Sequence, residues 1–223
     1  MTGIAAVFDM DGVLADNNDW HIRSWIAFAW KYGRQISPQD VVSHFGNTNK
    51  DYLGFLFGRP VSESEAVRLG EEKEAMYREM YREQLEPLPG LLNLLEELRK
   101  HVIPIALGTS APASNVDFIL DGLGIRPYFS CLVDASQIKK GKPDPEIYLK
   151  VAEKLGMPAK LCVVFEDSAH GIDSALAAGM KTVGVLSSHS PEALQRAHYL
   201  VRDFTSIIVE DLYRIVQTET NAG

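Results

Sequence analysis

Apolar residues along this chain follow two different rhythms. In the first they form short, nearly unbroken runs: IAAVF at Ile4–Phe8, IPIALG at Ile103–Gly108, FSCLVD at Phe129–Asp134, LCVVF at Leu161–Phe165 and KTVGVL at Lys181–Leu186. Runs of this length, apolar on successive residues and ended by Gly or an acid, read as strands buried on both faces. HYLVRD at His198–Asp203 reads as an edge strand. In the second rhythm apolar residues recur at helical spacing. Leu91, Leu92, Leu94, Leu95 and Leu98 do so within Pro89–Lys100; Ala113–Leu123, Pro145–Leu155, Ser168–Ala178 and Pro191–Ala197 follow the same pattern. Several of these segments open with Ser or Pro, which suits a helix start. Strand and helix in repeated alternation predict an α/β fold, a parallel sheet with helices on both faces.

The alternation fails between Asn17 and Glu86. DWHIRSWIAFAWKYG, SPQDVVSHFG, NKDYLGFLFG and SESEAVRLGEEKEAMYREMYREQL all carry helical patterns, separated by Gly or Pro, with no strand among them. The expected organisation is a catalytic core built from 1–16 and 87–223, with a helical cap at 17–86. The cap leaves the core at Asp16–Asn17 and returns through EPLPG at Glu86–Gly90.

Size and composition fit this picture. The 223 residues suffice for a core with a smaller inserted domain. An apolar share of 46% and a charged share of 23% are those of a globular chain. A formal charge of -8 disfavours a nucleic-acid partner. It leaves room for a small anion wherever a metal and a few lysines gather. Cys131 and Cys162 lie in apolar runs, with neither zinc-site nor disulfide spacing, and read as buried reduced thiols. No run approaches the ~18 apolar residues of a membrane span. The N-terminal segment lacks the basic start and apolar core of a signal peptide. A cytoplasmic monomer with no membrane partner is expected.

Ligands of an open parallel sheet collect at the carboxyl ends of its strands. Asp9, Asp11 and Gly12 follow the first run, Thr109 and Ser110 the second, and Glu166 and Asp167 follow LCVVF; Lys142 stands in GKPDPEIY just ahead of a helix. Each has an ordinary reading when taken alone. DxDG occurs in solvated turns, Thr109 and Ser110 could cap a helix, Glu166–Asp167 could open one, and a single lysine is usually solvated. Converging on one rim, they suit phosphoryl transfer, which depends on positioning and charge neutralisation. Asp9 would attack phosphorus to give an aspartyl-phosphate. Asp11 would protonate the leaving oxygen and then activate water. Mg2+ prefers oxygen ligands. Asp9, the backbone carbonyl of Asp11, and Asp167 could supply them, with Glu166 binding directly or through water. Thr109, Ser110 and nearby N–H groups would hold the phosphate, and Lys142 would neutralise both it and Asp9.

FDMDGVLAD, LGTSAP, KPDPEIY and FEDSAHGIDSALAAGM occur in this order. Together they resemble the four motifs of the haloacid dehalogenase-like hydrolases, matched at Asp9 and Asp11, at Thr109, at Lys142, and at Glu166 and Asp167. The resemblance implies a Rossmann-like core with a cap inserted after the first motif. The subgroup it resembles most is that of β-phosphoglucomutase and sugar-phosphate phosphatases, which often carry a His and a Trp early in the cap, here His21 and Trp25. In the mutase that His couples cap closure to catalysis. The mutase also has a cap loop whose Arg grips the distal phosphate. Here the loop reads GNTNKDY: Gly46, Asn47 and Thr48 precede Asn49, which stands where the Arg is expected. Asn supplies no charge for a bisphosphate that must reorient. Lys73 lies where relatives have a cap Lys, and Lys50 is a second candidate to compensate. The resulting expectation is a Mg2+-dependent phosphatase of a small phosphorylated metabolite, with sugar phosphates as candidates. A β-phosphoglucomutase-like phosphotransferase and an inorganic pyrophosphatase are the alternatives. His21 could also simply be packed in an aromatic-rich helix, and Lys73 solvated on a charge-laced one.

Overall fold

In the computed structural model, which describes residues 3–44 and 48–217, the core is a six-stranded parallel sheet. The strands are β1 (Ala5–Phe8), β2 (Ile105–Gly108), β3 (Cys131–Val133), β4 (Cys162–Glu166), β5 (Lys181–Val185) and β6 (Tyr199–Val201), in the spatial order β3-β2-β1-β4-β5-β6. β2 begins two residues later than the apolar run suggests, because Pro104 has no N–H to give to a ladder. Period-two alternation sends Ala6 and Phe8 of β1, with Val163 and Phe165 of β4, into one core layer; Ala5, Val7, Cys162 and Val164 enter the other. Both faces are therefore covered. One packs against α5 (Leu91–Lys100) and α9 (Val209–Gln217), the other against α7 (Glu146–Leu155) and α8 (Ala169–Ala177). Phe8 and Phe165 stack across the β1–β4 pair with centroids 4.6 Å apart. The expected α/β class with a parallel sheet is what the chain adopts.

Between β1 and α5 lie α1 (Asn18–Lys31), α2 (Pro38–Val42), α3 (Asn49–Phe57) and α4 (Glu63–Tyr81). Their starts are set by side chains. Ser37 forms a capping box with Asp40, and Thr48 and Ser62 accept the N–H of Asp51 and Glu65. These helices share a hydrophobic cluster of their own, with Trp25, Phe28, Tyr52, Leu53 and Leu69 at its centre. The two chain crossings run side by side: Ala15 bridges Pro87, and Leu88 N–H donates to Leu14 O at 3.0 Å.

Two expectations need correction, and one helix is added. Pro191–Ala197 forms turns rather than a helix; only Leu194 within it is fully buried, too little to hold an amphipathic helix in place. α9, which buries Val209, Leu212 and Ile215, is an additional helix not anticipated from the pattern. Of the two cysteines, Cys162 is buried, but Cys131 on short β3 is partly exposed. Among the described residues no helix is long and apolar enough to cross a membrane.

Candidate active site

The sheet order places β1 between β2 and β4, so the crevice at its carboxyl end is where successive crossovers diverge to opposite sides. Phe8 lies in register with Phe165 and with Leu107. The next residues of each strand, Asp9, Glu166 and Gly108, are therefore neighbours without any further device. Thr109 and Asp167 follow one residue on. Lys142 arrives from the loop before α7 and binds both Asp9 Oδ1 at 2.8 Å and Glu166 Oε1 at 2.5 Å.

Carboxyl oxygens of Asp9, Glu166 and Asp167 lie within 4.8 Å of one another, and all three residues are buried. Three acids thus face one lysine, and the electrostatics show it. Burial pushes the Asp9 carboxyl well above the usual range; Lys142 pulls it back, and Glu166 and Asp167 push it up again. Asp167 is pushed up to about 7 by burial and by Glu166, against hydrogen bonds from Ser188 and Asn18. A divalent cation would relieve this crowding, and an all-oxygen donor set suits Mg2+. Glu166 is the most committed of the three. Its Oε1 accepts from Lys142 and Tyr148, and its Oε2 from the Ser168 N–H and hydroxyl.

Two glycines make the crowding possible. A Cβ on Gly12 would sit 2.1 Å from Asp167 Oδ2, and its φ of +70° is one that L-residues rarely adopt. A Cβ on Gly171 would fall 1.9 Å from the Glu166 carboxylate. Each lets backbone approach an acid closely.

Asp11 has different company. Asn17 donates to Asp11 Oδ1 at 2.6 Å and to Tyr77 Oη at 2.7 Å, while its own oxygen accepts the Gly12 N–H. Lys73 lies 3.0 Å from His21 Nδ1. An ammonium has only protons to give, so this contact selects the Nε2–H tautomer in the neutral ring. That nitrogen lies 3.4 Å from Asp11 Oδ1, buried and without an aligned hydrogen bond among the described residues. Burial alone would raise Asp11; His21, the Asn17 amide and Lys73 outweigh it and hold the carboxyl below the usual range. His21 also stacks on Tyr77 at 3.9 Å.

One cavity of about 100 Å³ joins these groups: Asp9, Asp11, Thr109, Ser110, Lys142 and Asp167 on the sheet side, and His21, Trp25, Asn49 and Lys73 on the helical side. Ser110 Oγ is buried there with no partner among the described residues. Thr109 Oγ1 accepts the Ala111 N–H at 3.1 Å, which leaves its own proton available. Thr48 does not line the cavity; its hydroxyl caps α3. Lys50 pairs instead with Glu63 at the surface. Gly46 and Asn47 lie outside the described residues.

The sequence reading passed over several residues at this site. Asn18 and Ser188 hold Asp167, and Tyr148 holds Glu166. Ser188 could have been found, since it stands just beyond β5 where strand-end chemistry is expected. Asn17 was taken only as the start of the cap, and Glu74 and Asn115 carry no local signal.

A model for haloacid dehalogenase-like hydrolases matches residues 6–185. The chain belongs to that family. A phosphorylated carbohydrates phosphatase of Thermotoga maritima is 34% identical over 189 residues, covering 82% of this chain and 86% of that protein. The fructose-1-phosphate phosphatase YqaB of Escherichia coli is 32% identical over 179 residues, covering 80% and 94%. Among solved structures, a β-phosphoglucomutase from Clostridium difficile superposes with a TM-score of 0.86 at 30% identity, covering 96% of this chain and 97% of that one. The expected family is met, and with it the expectation of an enzyme whose relatives are phosphatases of phosphorylated sugars.

Proposed function

We propose that this haloacid dehalogenase-like enzyme is a Mg2+-dependent phosphatase of a small phosphomonoester, a sugar phosphate foremost, working through an aspartyl-phosphate on Asp9. The observation that carries the reading is the Lys142 bridge at 2.8 Å from Asp9, set among three buried acids at the end of β1. It supports a carboxylate kept shielded for attack on an anion. Asp9 and Asp167, with the Asp11 backbone carbonyl, would hold the metal, and Glu166 would complete the acidic wall while orienting Lys142. Bound there, Mg2+ would offset the negative charge of the phosphate as the carboxylate approaches.

An Asp9 oxygen forms a bond to phosphorus while the bond to the ester oxygen breaks, and Asp11, whose resting carboxyl is held below the usual range and so must first take up a proton, passes that proton to the ester oxygen. Water then attacks the phosphorus, Asp11 takes the proton of the water, and the Asp9–phosphorus bond breaks to release phosphate. The free proton of Thr109 and the Ser110 hydroxyl would hold non-bridging oxygens. His21 Nε2–H, oriented by Lys73, would position Asp11. The helices of 17–86 would act as a cap that excludes water during attack.

One observation favours the phosphotransferase alternative: the Lys73–His21–Asp11 chain resembles the coupling expected of a mutase. The Asn49 side chain weighs against it, since its amide donates to Glu74 and offers no cation to a second phosphate. The test is phosphate release with Mg2+ from a panel of sugar phosphates, β-glucose 1-phosphate and pyrophosphate, with acid-quenched single turnovers analysed for phosphate on Asp9. Hydrolysis of the sugar monophosphates with label on Asp9 is expected. Isomerised product without free phosphate would move the reading to the mutase, and dominant pyrophosphate cleavage to the pyrophosphatase.

A further inference from the structure

The cations of the cavity wall are already engaged. Lys142 is bound to Asp9 and Glu166, and Lys73 lies 2.9 Å from Glu74 Oε1. No arginine lines the cavity among the described residues. Glu74 is the centre of the helical wall. It is 3% exposed, and it accepts from Asn49 Nδ2 at 2.9 Å and from Asn115 Nδ2 at 2.7 Å besides Lys73. Those donors could otherwise grip a phosphate. A carboxylate has about four lone-pair positions, and these contacts occupy three, leaving one on Oε2.

The same cavity is lined by a tyrosine whose hydroxyl has no partner among the described residues. Tyr52 is 3% exposed and lines the cavity, its ring 4.0 Å from that of Trp25, and its Oη has no hydrogen-bond partner among the described residues. His44 gives its Nδ1–H to the Asp40 carbonyl at 2.7 Å, which leaves Nε2 as an acceptor on the same wall. An aromatic surface, one buried hydroxyl without a partner among the described residues, an acceptor nitrogen and a carboxylate with a spare lone pair suit hydroxyl groups. They do not suit a second anion. A dianion brought to this wall would shed its hydration without gaining a counter-charge, because Lys73, the cation there, is already neutralised by Glu74.

We infer that Glu74 sets the substrate class: the cavity accepts a monophosphate whose far end is an uncharged, hydroxylated chain or ring, bound by Tyr52 Oη and the Glu74 wall, and rejects a second phosphate. This rests on the phosphatase reading for where the first phosphate sits, but not on turnover. A purely structural Glu74, tying α4 to α6 (Ala113–Gly122) through Asn115, would treat the two ligand classes alike.

The experiment therefore measures binding, by calorimetry with Mg2+ on the Asp9→Asn chain, using matched pairs: fructose 1-phosphate with fructose 1,6-bisphosphate, and glucose 6-phosphate with glucose 1,6-bisphosphate. In at least one pair the monophosphate is expected to bind tenfold or more tightly than the bisphosphate. Adding Glu74→Gln should shrink that ratio to threefold or less. Tyr52→Phe, which removes only the oxygen, should weaken the sugar monophosphate at least fivefold more than methyl phosphate. Bisphosphate binding as tightly as monophosphate in the chain that keeps Glu74 overturns the inference. So does a preference untouched by Glu74→Gln, an equal loss of both ligands in Tyr52→Phe, or no binding by any monophosphate. Monophosphates that bind selectively but release no phosphate from the unmodified chain would sink the phosphatase reading and leave this inference standing.

Discussion

The two walls of the cavity solve opposite electrostatic problems. The sheet wall is unbalanced: three buried acids share Lys142, and Asp9 and Asp167 are both pushed upward. The helical wall is balanced: Lys73 and Glu74 neutralise each other, and burial of Glu74 is outweighed by Lys73 and His21, which hold its carboxyl below the usual range. An unbalanced wall is arranged for an incoming cation and anion. A balanced one already holds its charges in place and has hydrogen bonds left to offer. On the proposed function, the difference would separate the side that performs chemistry from the side that reads the substrate.

The widest contrast should come from the nucleophile. Asp9→Asn cannot form an acyl-phosphate, and phosphate release should fall by about 10⁴-fold or more, measured at saturating Mg2+. Lys142→Met leaves two carboxylates facing each other without a counter-charge; kcat/KM should drop by about 10³-fold, beyond the loss expected from one missing hydrogen bond. On the helical wall, His21→Gln should cost about 10- to 100-fold in kcat, since Asp11 keeps its bond from Asn17. If His21→Gln cost as much as Lys142→Met, the division between the walls would be wrong.

The imbalance also predicts a pH effect on stability. A free Asp has a pKa of about 3.9, whereas Asp167 in the fold is pushed up to about 7. Between these values the native state keeps a proton that the unfolded chain has lost. The stability Asp167 provides is therefore fully present below about pH 4 and is lost as pH rises through about 7. In EDTA the Tm should fall from pH 5 to pH 8. Mg2+, which binds the ionised acids, should reduce or reverse the fall, and Asp167→Asn should lessen it in EDTA. The smallest effect belongs to a surface pair: Lys50→Ala breaks only the exposed contact with Glu63 and should change stability by less than about 1 kcal/mol, read from denaturant melts.

Legibility followed the same division. The sheet wall could be read because a parallel sheet fixes where strand ends go. Phe8 in register with Phe165 places Asp9 beside Glu166 whatever the loops do. The helical wall was read only where a resemblance pointed, at His21, Trp25 and Lys73. Glu74 follows Lys73 directly, but a charged run on a helix does not announce which of its residues turns inward. Lys73 is 1% exposed, while Glu71, two residues earlier, is half-exposed at 49% of its side chain. Asn49 stood out as a missing Arg, yet its tie to Glu74 needed the contact between α3 and α4.

The sequence by itself determined the α/β class, the order of the strands and most of the helices between them, the strand-free stretch, and the acids and threonine that stand at strand ends. Each of these depends on local periodicity or on a strand's final residue, and both are written in consecutive positions. Only the tertiary structure decided which donors hold those acids, with Asn17 on Asp11 and Asn18 and Ser188 on Asp167, and that Lys73 would face Glu74. Such pairings join side chains as far apart as Asn18 and Asp167, whose meeting depends on how helices pack over the sheet rather than on any spacing along the chain.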